Sequence, residues 1–406
     1  MISRRVFLRD SAVVLSAFGT SPLWFASASA QKSAGSQSAR RKILVVLFQR
    51  GAADGLSMIV PYGDAGYYAL RPTIALPVPG KQNGVIDLDG HFGLHPSLAA
   101  LKDLWDKQMF AVVEATGSPD FSRSHFEAQD YMESGTSGVK TEDGWLNRAM
   151  RTSHIPASAF RMVSVGPKLP LSVRGETQAT SVSGLINVQL GNGVSRIFEK
   201  MYRSSTDPVL NAASSETFEM LRRVDKINSE ANRPANGAQY GSGEMGQGLA
   251  QIARLIKSDM GVEAAFVDIG GWDHHTNESN SLSPMLNSLA VSCSAFCRDL
   301  GDRMNDILIV TMSEFGRTAF ENGNGGTDHG HGNLMMLIGR PVHGGRIYGE
   351  WPGLAPDQLF QKRDLAVTTD YRDVLGEILT KHMGVQGLEN VFPNYAVRKP
   401  LGLIRS

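Results

Sequence analysis

The sequence is poor in cysteine, and this scarcity excludes two ways of stabilising a protein. Among 406 residues there are only Cys293 and Cys297. They lie four residues apart in a segment with the pattern of an amphipathic helix, where a disulfide between consecutive turns would need strained geometry. The chain therefore has neither a disulfide framework nor the thiolates of a cysteine-rich zinc or iron–sulfur site. We expect both cysteines on a buried helical stripe, with a redox or metal role as the alternative.

Charge of one sign and long apolar runs are also missing. Lys and Arg together number 40, Asp and Glu together number 40, and the formal net charge is zero. A chain without a basic stripe lacks the electrostatic footprint of nucleic-acid binding. Beyond the N-terminal segment, no apolar run reaches the roughly 20 residues that cross a bilayer as a helix. The sequence argues against nucleic acid as a partner and against a stable membrane span.

The first 30 residues have the organisation of an export signal. The paired Arg4 and Arg5 precede a mostly apolar stretch at 11–25, and small residues follow up to Ala30. This is the order of the basic, apolar and cleavage regions of a signal peptide. The run Ser3-Arg4-Arg5-Val6-Phe7-Leu8 also matches the twin-arginine consensus. An ordinary secretory signal or an uncleaved anchor shares the general pattern and is the alternative.

This N-terminus predicts the organisation of the rest of the chain. We expect a twin-arginine signal peptide at 1–30, a linker at 31–42 and a globular domain at 43–406. The twin-arginine translocase would be a partner, and the destination would be the periplasm or the exterior. Because that route carries folded cargo, which often holds a metal or cofactor, it raises the expectation of a metal site.

From residue 43 onward, short buried-strand patterns alternate with helical patterns. Continuous apolar strands separated by helices indicate an α/β fold with a mainly parallel central sheet and helices on both faces. The predicted strands are 43–48, 109–114, 264–269, 307–312 and 334–338, and the clearest helices are 98–107, 246–258 and 281–302.

One segment, about 204–248, breaks this alternation. It contains a helical pattern at 216–226 with polar, Gly- and Ser-rich flanks. It holds too few large apolar residues to bury a core of its own. We predict a helical cap inserted into the domain, with a second independent domain as the alternative.

Polar residues collect directly after the predicted strands, where open parallel sheets place their ligand sites. Asp54 follows the first strand, and two further patches, 270–275 and 325–332, combine aspartate with histidine among glycines. Carboxylate and neutral imidazole are the ligands of zinc or manganese in hydrolytic centres. Three such patches at strand ends indicate a metal site, whereas one Asp–His pair alone would more often be structural.

Ser124 lies between a predicted strand and a helix, and two roles suit it. With Glu127 three residues later it has the spacing of a capping box. A serine at a helix N-terminus is also near N–H groups that favour an anion, and a neighbouring metal would lower its hydroxyl pKa. Arg123 or Arg317 would suit an anionic substrate, although an arginine there often only pairs with a carboxylate.

Several of these runs together resemble the exported bacterial proteins of the domain of unknown function 1501 family, which are similar to the alkaline phosphatase and sulfatase superfamily. The resemblance covers about 42–384. The matching runs are Arg50-Gly51-Ala52-Ala53-Asp54-Gly55-Leu56, Arg123-Ser124-His125-Phe126, Gly144-Trp145-Leu146-Asn147-Arg148, Gly271-Trp272-Asp273 with His275, Ser313-Glu314-Phe315-Gly316-Arg317 and Gly326-Thr327-Asp328-His329-Gly330.

The resemblance implies an alkaline-phosphatase-like fold with a site for two divalent cations, of which Zn, Mn, Mg and Ca are the choices. The first cation would be held by Asp54, Asp328 and His329, with the nucleophile Ser124 beside it.

The second cation implied by the resemblance would be held by Asp273, His275 and His331. Asp273 and His275 are closer in sequence than is usual in that superfamily, His274 competes with His275, and Glu314 would serve as a replacement ligand.

The resemblance also guides the expected reaction. Neither Ser124 nor either cysteine begins the x-Pro-x-Arg run that a formylglycine sulfatase needs, so that mechanism is not expected. We expect an exported, metal-dependent hydrolase that acts on an anionic small-molecule or polymer ester, namely a phosphate or sulfate ester. A non-catalytic, metal-stabilised binding or assembly protein of the periplasm or cell surface is the alternative.

Overall fold

The computed structural model describes residues 41–152, 160–166, 168–182, 233–398 and 400–405. Within these ranges the chain forms a large mixed sheet, a small three-stranded sheet and helices that pack on the large sheet. The predicted signal peptide at 1–30, most of the linker, and residues 204–232 of the predicted cap lie outside the described residues.

The strands and helices are numbered in chain order. The strands are β1 Ile43–Gln49, β2 Ile59–Val60, β3 Ile86–Asp87, β4 Gly93–Leu94, β5 Phe110–Gly117, β6 Met162–Val165, β7 Thr180–Ser181, β8 Ala264–Ile269, β9 Ile307–Met312, β10 Asn333–Ile338, β11 Arg346–Tyr348 and β12 Thr369–Asp370. The α-helices are α1 Gly55–Met58, α2 Ala65–Leu70, α3 Lys102–Asp106, α4 His125–Ser134, α5 Trp145–Arg151, α6 Glu244–Lys257, α7 Glu278–Leu300, α8 Tyr371–Glu377 and α9 Leu388–Val391. Short 3₁₀ turns occupy Pro96–Leu101, Leu171–Val173 and Gly301–Asp306, and Ile378–His382 is a π-helical turn.

The large sheet has the strand order β11-β5-β10-β9-β1-β8-β6-β7, with β12 paired to β5. The pairs of β1 with β8 and β9 are parallel, as are those of β6 with β8 and β7 and those of β5 with β11 and β12. Strand β10 runs antiparallel to both of its neighbours. The prediction of a mainly parallel α/β sheet is confirmed, with β10 as the exception.

Both faces of the sheet are covered, as predicted. Strand β1 is buried throughout, and its side chains alternate between two cores: Val45 and Leu47 face one, whereas Val46 and Phe48 face the other. The first core is closed by α6 and α7, and the second by α5 and α8. A continuous apolar strand is the pattern that such two-sided burial requires.

The C-terminal boundary of the predicted cap differs from the structure. Residues 244–248 are not part of an insertion, because they form the first turns of α6, where Met245 and Leu249 are buried in the first core. The apolar stripe of this helix continues without interruption from its first turn, so the helix belongs to the sheet-covering layer.

The two cysteines occupy the positions expected of buried apolar residues. Cys293 and Cys297 are both free thiols buried on α7 in the first core. Burial raises the pKa of Cys297 to about 12, so this thiol stays protonated. Among the described helices, none combines the length and apolar character needed to cross a membrane.

Candidate metal centre

The loops that follow four strands meet at one edge of the sheet. Strands β1, β5, β8 and β9 run in the same direction, so their carboxyl ends share that edge. Strand β10 runs the opposite way, and therefore the loop that enters it also lies there. This arrangement brings together side chains that are up to about 200 residues apart in sequence, as open α/β sheets do at their ligand sites.

Three imidazole rings and one carboxylate converge at this edge. His329 Nε2 lies 3.0 Å from His125 Nε2 and 3.0 Å from His275 Nε2. Asp273 Oδ1 lies 3.0 Å from His275 Nε2 and 3.2 Å from His329 Nε2, and Asp273 Oδ2 lies 3.4 Å from His125 Nε2. His125, Asp273 and His329 each direct one ligand atom into a space small enough for one cation.

The hydrogen bonds behind the rings fix which nitrogen of each imidazole carries hydrogen. Nδ1 of His125 lies 2.8 Å from Glu314 Oε1, Nδ1 of His275 lies 2.9 Å from Asp328 Oδ1, and Nδ1 of His329 lies 3.0 Å from the Arg123 carbonyl oxygen. Carboxylates and carbonyls only accept, so each Nδ1–H is the donor.

In the neutral ring, each Nε2 therefore presents a lone pair to its neighbours. Three such lone pairs and the Asp273 carboxylate repel one another unless a metal cation, or a proton on one of the rings, lies among them. Ligand atoms around a tetrahedral zinc ion lie about 3.3 Å apart, given zinc–nitrogen distances of about 2.0–2.1 Å. The observed separations and the oxygen acceptors behind each ring both fit a bound metal ion.

Glu314 orients His125 from the buried side of the site. It also accepts from the Gly51 amide at 2.9 Å and from Gln129 Nε2 at 2.8 Å. Burial raises the pKa of Glu314, but these hydrogen bonds and the one from His125 outweigh it and hold the pKa below its usual value. The same hydrogen bond raises the pKa of His125. Glu314 lies behind His125 and is not itself directed at the cluster.

Arg317 supports Asp273 in the same way. The Arg317 guanidinium donates to Asp273 Oδ1 at 2.6 Å and to the hydroxyl and carbonyl of Thr327. Partial burial raises the pKa of Asp273, yet Arg317 and the nearby rings lower it below its ordinary value. The carboxylate therefore stays ionised, as a metal ligand requires. This places Arg317 in an ion pair with Asp273, which is the structural alternative considered for it.

Asp328 contacts the outer side of the His275 ring. Its Oδ1 accepts from His275 Nδ1 and from Asn322 Nδ2 at 3.1 Å. The bond from His275 lowers the pKa of Asp328. Asp328 therefore orients His275 instead of pointing at the cluster, in contrast to the ligand role implied by the resemblance. His275, not His274, is the ring at the site, because His275 Nε2 lies 3.0 Å from both His329 Nε2 and Asp273 Oδ1, whereas His274 is buried.

Asp54, which was expected to converge with the other ligands, is paired with Arg71 instead. Its two oxygens accept from Arg71 at 2.5 and 3.0 Å and from Ser57 at 2.7 Å. Burial raises the pKa of Asp54, but the adjacent Arg71 guanidinium outweighs it and lowers the pKa to about 2. The carboxylate is 1% exposed. Its charge is compensated by the Arg71 guanidinium, which hydrogen-bonds to both carboxylate oxygens.

His331 is likewise separate from the cluster. Its ring stacks on Phe360 with 4.3 Å between ring centroids. Burial lowers the pKa of His331 to about 4, so the ring is neutral. Among the described residues, the six implied ligands thus divide into three at or near one cation position, Asp273, His275 and His329, and three elsewhere, Asp54, Asp328 and His331.

Ser124 lies between two residues that touch the cluster. The carbonyl of Arg123 accepts from His329, and His125 is the next residue. Ser124 is the N-cap of α4, but its side chain makes no capping hydrogen bond, and Glu127 accepts instead from Ser122 Oγ at 2.7 Å. The capping-box expectation is therefore wrong, which leaves the Ser124 hydroxyl uncommitted to the helix.

The side chain of Arg123 forms an ion pair with a buried carboxylate. Its guanidinium donates to Asp364 Oδ2 at 2.5 Å, and Arg363 donates to the same carboxylate at 3.1 Å. Asp364 is fully buried, whereas the side chain of Arg123 is 30% exposed. Two guanidinium groups share one carboxylate, so these three side chains together carry one net positive charge.

His125 is the site residue that the sequence analysis missed. It stands alone in its segment without a neighbouring aspartate, which was the pattern used to find the other rings. Its position directly after Ser124, at the first residue of a helix that begins at the edge of the sheet, is the signal that identifies it.

The fold and this cluster define a mixed α/β protein with three histidines and one aspartate gathered at the carboxyl edge of its sheet. A family model described as "Protein of unknown function (DUF1501)" matches residues 95–392. The chain belongs to that family, as the sequence motifs suggested. No curated protein matches the chain.

Solved structures similar to this chain include sulfatases and alkaline phosphatases. Ps i-CgsB, in complex with k-i-k-neocarrahexaose, has a TM-score of 0.39 and 11% identity, with 87% of this chain and 74% of that chain covered. The PsFucS1 sulfatase from Pseudoalteromonas sp. has a TM-score of 0.36 and 12% identity over 91% and 74%. Alkaline phosphatase from the Antarctic bacterium TAB5 has a TM-score of 0.31 and 12% identity, with 76% of this chain and 94% of that chain covered. At these similarities, the chemistry has to be inferred from the residues of this chain.

Proposed function

We propose that this protein is an exported, metal-dependent hydrolase of phosphate or sulfate esters, with Ser124 as the nucleophile. The observation that carries the proposal is the convergence of three imidazole Nε2 atoms, each with its Nδ1–H donated to an oxygen, on the Asp273 carboxylate beside Ser124. Imidazole-rich sets suit zinc better than magnesium or calcium. Zinc is therefore the first ion to test.

The proposal takes one cation, held by His125, Asp273 and His329, with His275 as a fourth ligand or a neighbour. A divalent cation at this position would polarise the ester and stabilise charge on the attacking and leaving oxygens. The Asp273 and His275 side chains are 42% and 41% exposed, so an ester and water can reach the site from solvent.

The residues of the chain would carry the covalent steps. Ser124 Oγ attacks phosphorus or sulfur and loses its proton to solvent, while the ester alcohol leaves and takes a proton from solvent. Water then attacks the serine ester, which releases phosphate or sulfate and restores the serine hydroxyl. The net positive charge of Arg123 and Arg363 would favour the anionic ester.

One observation favours the non-catalytic alternative. If His275 binds together with the other three, four protein ligands surround the cation, and closed four-ligand zinc sites are structural. In that case the metal would stabilise a binding or assembly protein of the periplasm or cell surface.

The Ser124→Ala variant separates the two functions. In a hydrolase it should bind zinc as the parent does and lose turnover of 4-nitrophenyl phosphate or sulfate by about two orders of magnitude or more. Ser283→Ala is the control and should keep full turnover, since that hydroxyl donates to the Ser279 carbonyl within α7. Full turnover by Ser124→Ala would remove the nucleophile assignment, and a zinc-bound parent without turnover would favour the structural role.

A further inference from the structure

Two exposed phenylalanines flank the Ser124–His125 pair. Phe126 is 85% exposed and Phe121 is 64% exposed. Among the described residues, the only other large apolar side chains that are exposed are Val78, at 39%, and Val139, at 53%. Single exposed apolar side chains are ordinary, so the location of Phe126 decides whether its exposure has a function.

Phe126 also borders a cleft beside the metal centre. The cleft has a volume of about 500 Å³, within the size range of small-molecule sites. Gln129 lines it and donates to Glu314, the residue that orients His125. Gln129 and Glu314 therefore connect the cleft to His125, and Phe126 lies two residues after Ser124 in the chain.

The charges of the cleft indicate what that group is. Its basic and acidic lining residues are equal in number: Arg50, Lys168 and Arg174 against Asp130, Glu133 and Asp268.

The deeper of these groups are already paired. Arg50 forms ion pairs with Glu133 and Asp268 and also donates to Gln129. A polyanion would gain no net attraction in such a cleft, and sugar hydroxyls would have to compete with existing hydrogen bonds. An aryl group needs neither charge nor hydrogen bonds, and it gains from packing against a phenylalanine ring.

Resting on the proposed function, we infer that Phe126 determines specificity by holding the aryl alcohol portion of the ester. The substrates are then aryl phosphates or aryl sulfates, and Phe126 contacts the leaving group without taking part in the covalent steps.

The test compares two phosphonates that cannot be hydrolysed, phenylphosphonate and methylphosphonate, by calorimetric titration into the zinc-loaded full chain. The parent should bind phenylphosphonate roughly tenfold more tightly, since aromatic pairs contribute about 0.5–1.5 kcal/mol beyond burial of area. Phe126→Ala should reduce this preference to about twofold or less while leaving methylphosphonate affinity unchanged. Val139→Ala, which truncates an exposed apolar side chain outside the cleft, should retain the parent's preference.

The outcomes separate this inference from the proposed function. If both phosphonates bind equally to the parent, or if Phe126→Ala keeps the preference, the aryl assignment is wrong while the metal-dependent site stands. If neither phosphonate binds the zinc-loaded parent, the proposed function and the aryl assignment both fail. Because Phe126 is largely exposed, its truncation should leave zinc content and melting temperature unchanged, and both are measured for each variant.

Discussion

At the scale of single residues, two aspartates with similar sequence surroundings have different electrostatic partners. Asp273 follows β8 and faces three imidazoles with Arg317 behind it, whereas Asp54 follows β1 and faces Arg71. Both carboxylates are ionised because a guanidinium lowers the pKa of each. Of the two, only Asp273 is exposed to solvent and lies within 3.4 Å of the imidazole nitrogens. The neighbouring side chains therefore determine which aspartate is available to a cation.

The Asp54–Arg71 pair should therefore be structural. Arg71→Met leaves a buried, unpaired carboxylate, and we expect the free energy of unfolding in urea to fall by about 3–5 kcal/mol. Lys102→Met, which breaks the exposed pair with Asp106, is the control and should change stability by less than about 1 kcal/mol. Asp54→Asn should lower stability yet retain bound zinc. Loss of zinc in Asp54→Asn at a temperature where it is folded would reinstate Asp54 as a ligand.

At the scale of elements, the site depends on how closely the loops after β1 and β8 approach each other. Gly51 has φ +118°, and a Cβ atom there would lie 2.6 Å from the Asp273 amide nitrogen. Its own amide donates to Glu314. A side chain at this position would push the Asp273 loop away from the loop that supports His125, so a backbone feature sets the distance between two ligands.

Gly51→Ala tests this close approach. Strained φ and the backbone clash should each destabilise the protein, and we expect a loss of about 1–3 kcal/mol together with weaker zinc binding. Gly270→Ala is a control in the neighbouring loop, because a Cβ atom there meets nothing within 4 Å and its φ is not in the left-handed region. Equal zinc affinity and stability for the two variants would show that neither property depends on the close approach of these loops.

The elements also show which parts of the structure can be predicted from sequence. The predicted strands 43–48, 264–269 and 307–312 agree with β1, β8 and β9 to within one residue, because two-sided burial imposes continuous apolar runs. The antiparallel direction of β10 was not predictable, since an apolar run has the same pattern in either direction.

The site was predictable only in part, for a related reason. Local Asp–His spacing identified 273–275 and 328–329, which lie together. It could not identify the pairing of Asp54 with Arg71, because that contact depends on how α2 packs against the loop after β9. His125 likewise gains its role from the position of α4 at the sheet edge, which no local pattern encodes.

At the scale of the whole molecule, the proposed export route and the proposed metal site are compatible with each other. A chain that assembles ligands from three distant loops acquires its metal site only when folded, and metal binding then adds to folding stability. Transport of a folded protein through the twin-arginine route suits such a site. We therefore retain export by this route as a proposal that rests on the N-terminal residues alone.

Replacing Arg4 and Arg5 with Lys together tests the route. The double variant should accumulate as precursor in the cytoplasm, measured by fractionation and by the mass of the intact chain. Replacing Arg40 and Arg41 with Lys is the control, because this second arginine pair lies beyond the predicted cleavage after Ala30. Normal export of the Arg4 and Arg5 variant would assign the N-terminus to a different secretory route.

The central claim is that His125, Asp273 and His329 bind a cation, and its most direct test is calorimetric titration of zinc into the metal-free chain. The parent should bind one zinc ion per chain at a site that His329→Ala abolishes. His343→Ala, which removes an exposed ring bonded only to the Gly402 carbonyl, should leave this binding unchanged. If the parent binds no zinc, or if His329→Ala binds it as the parent does, the cluster is not a metal centre.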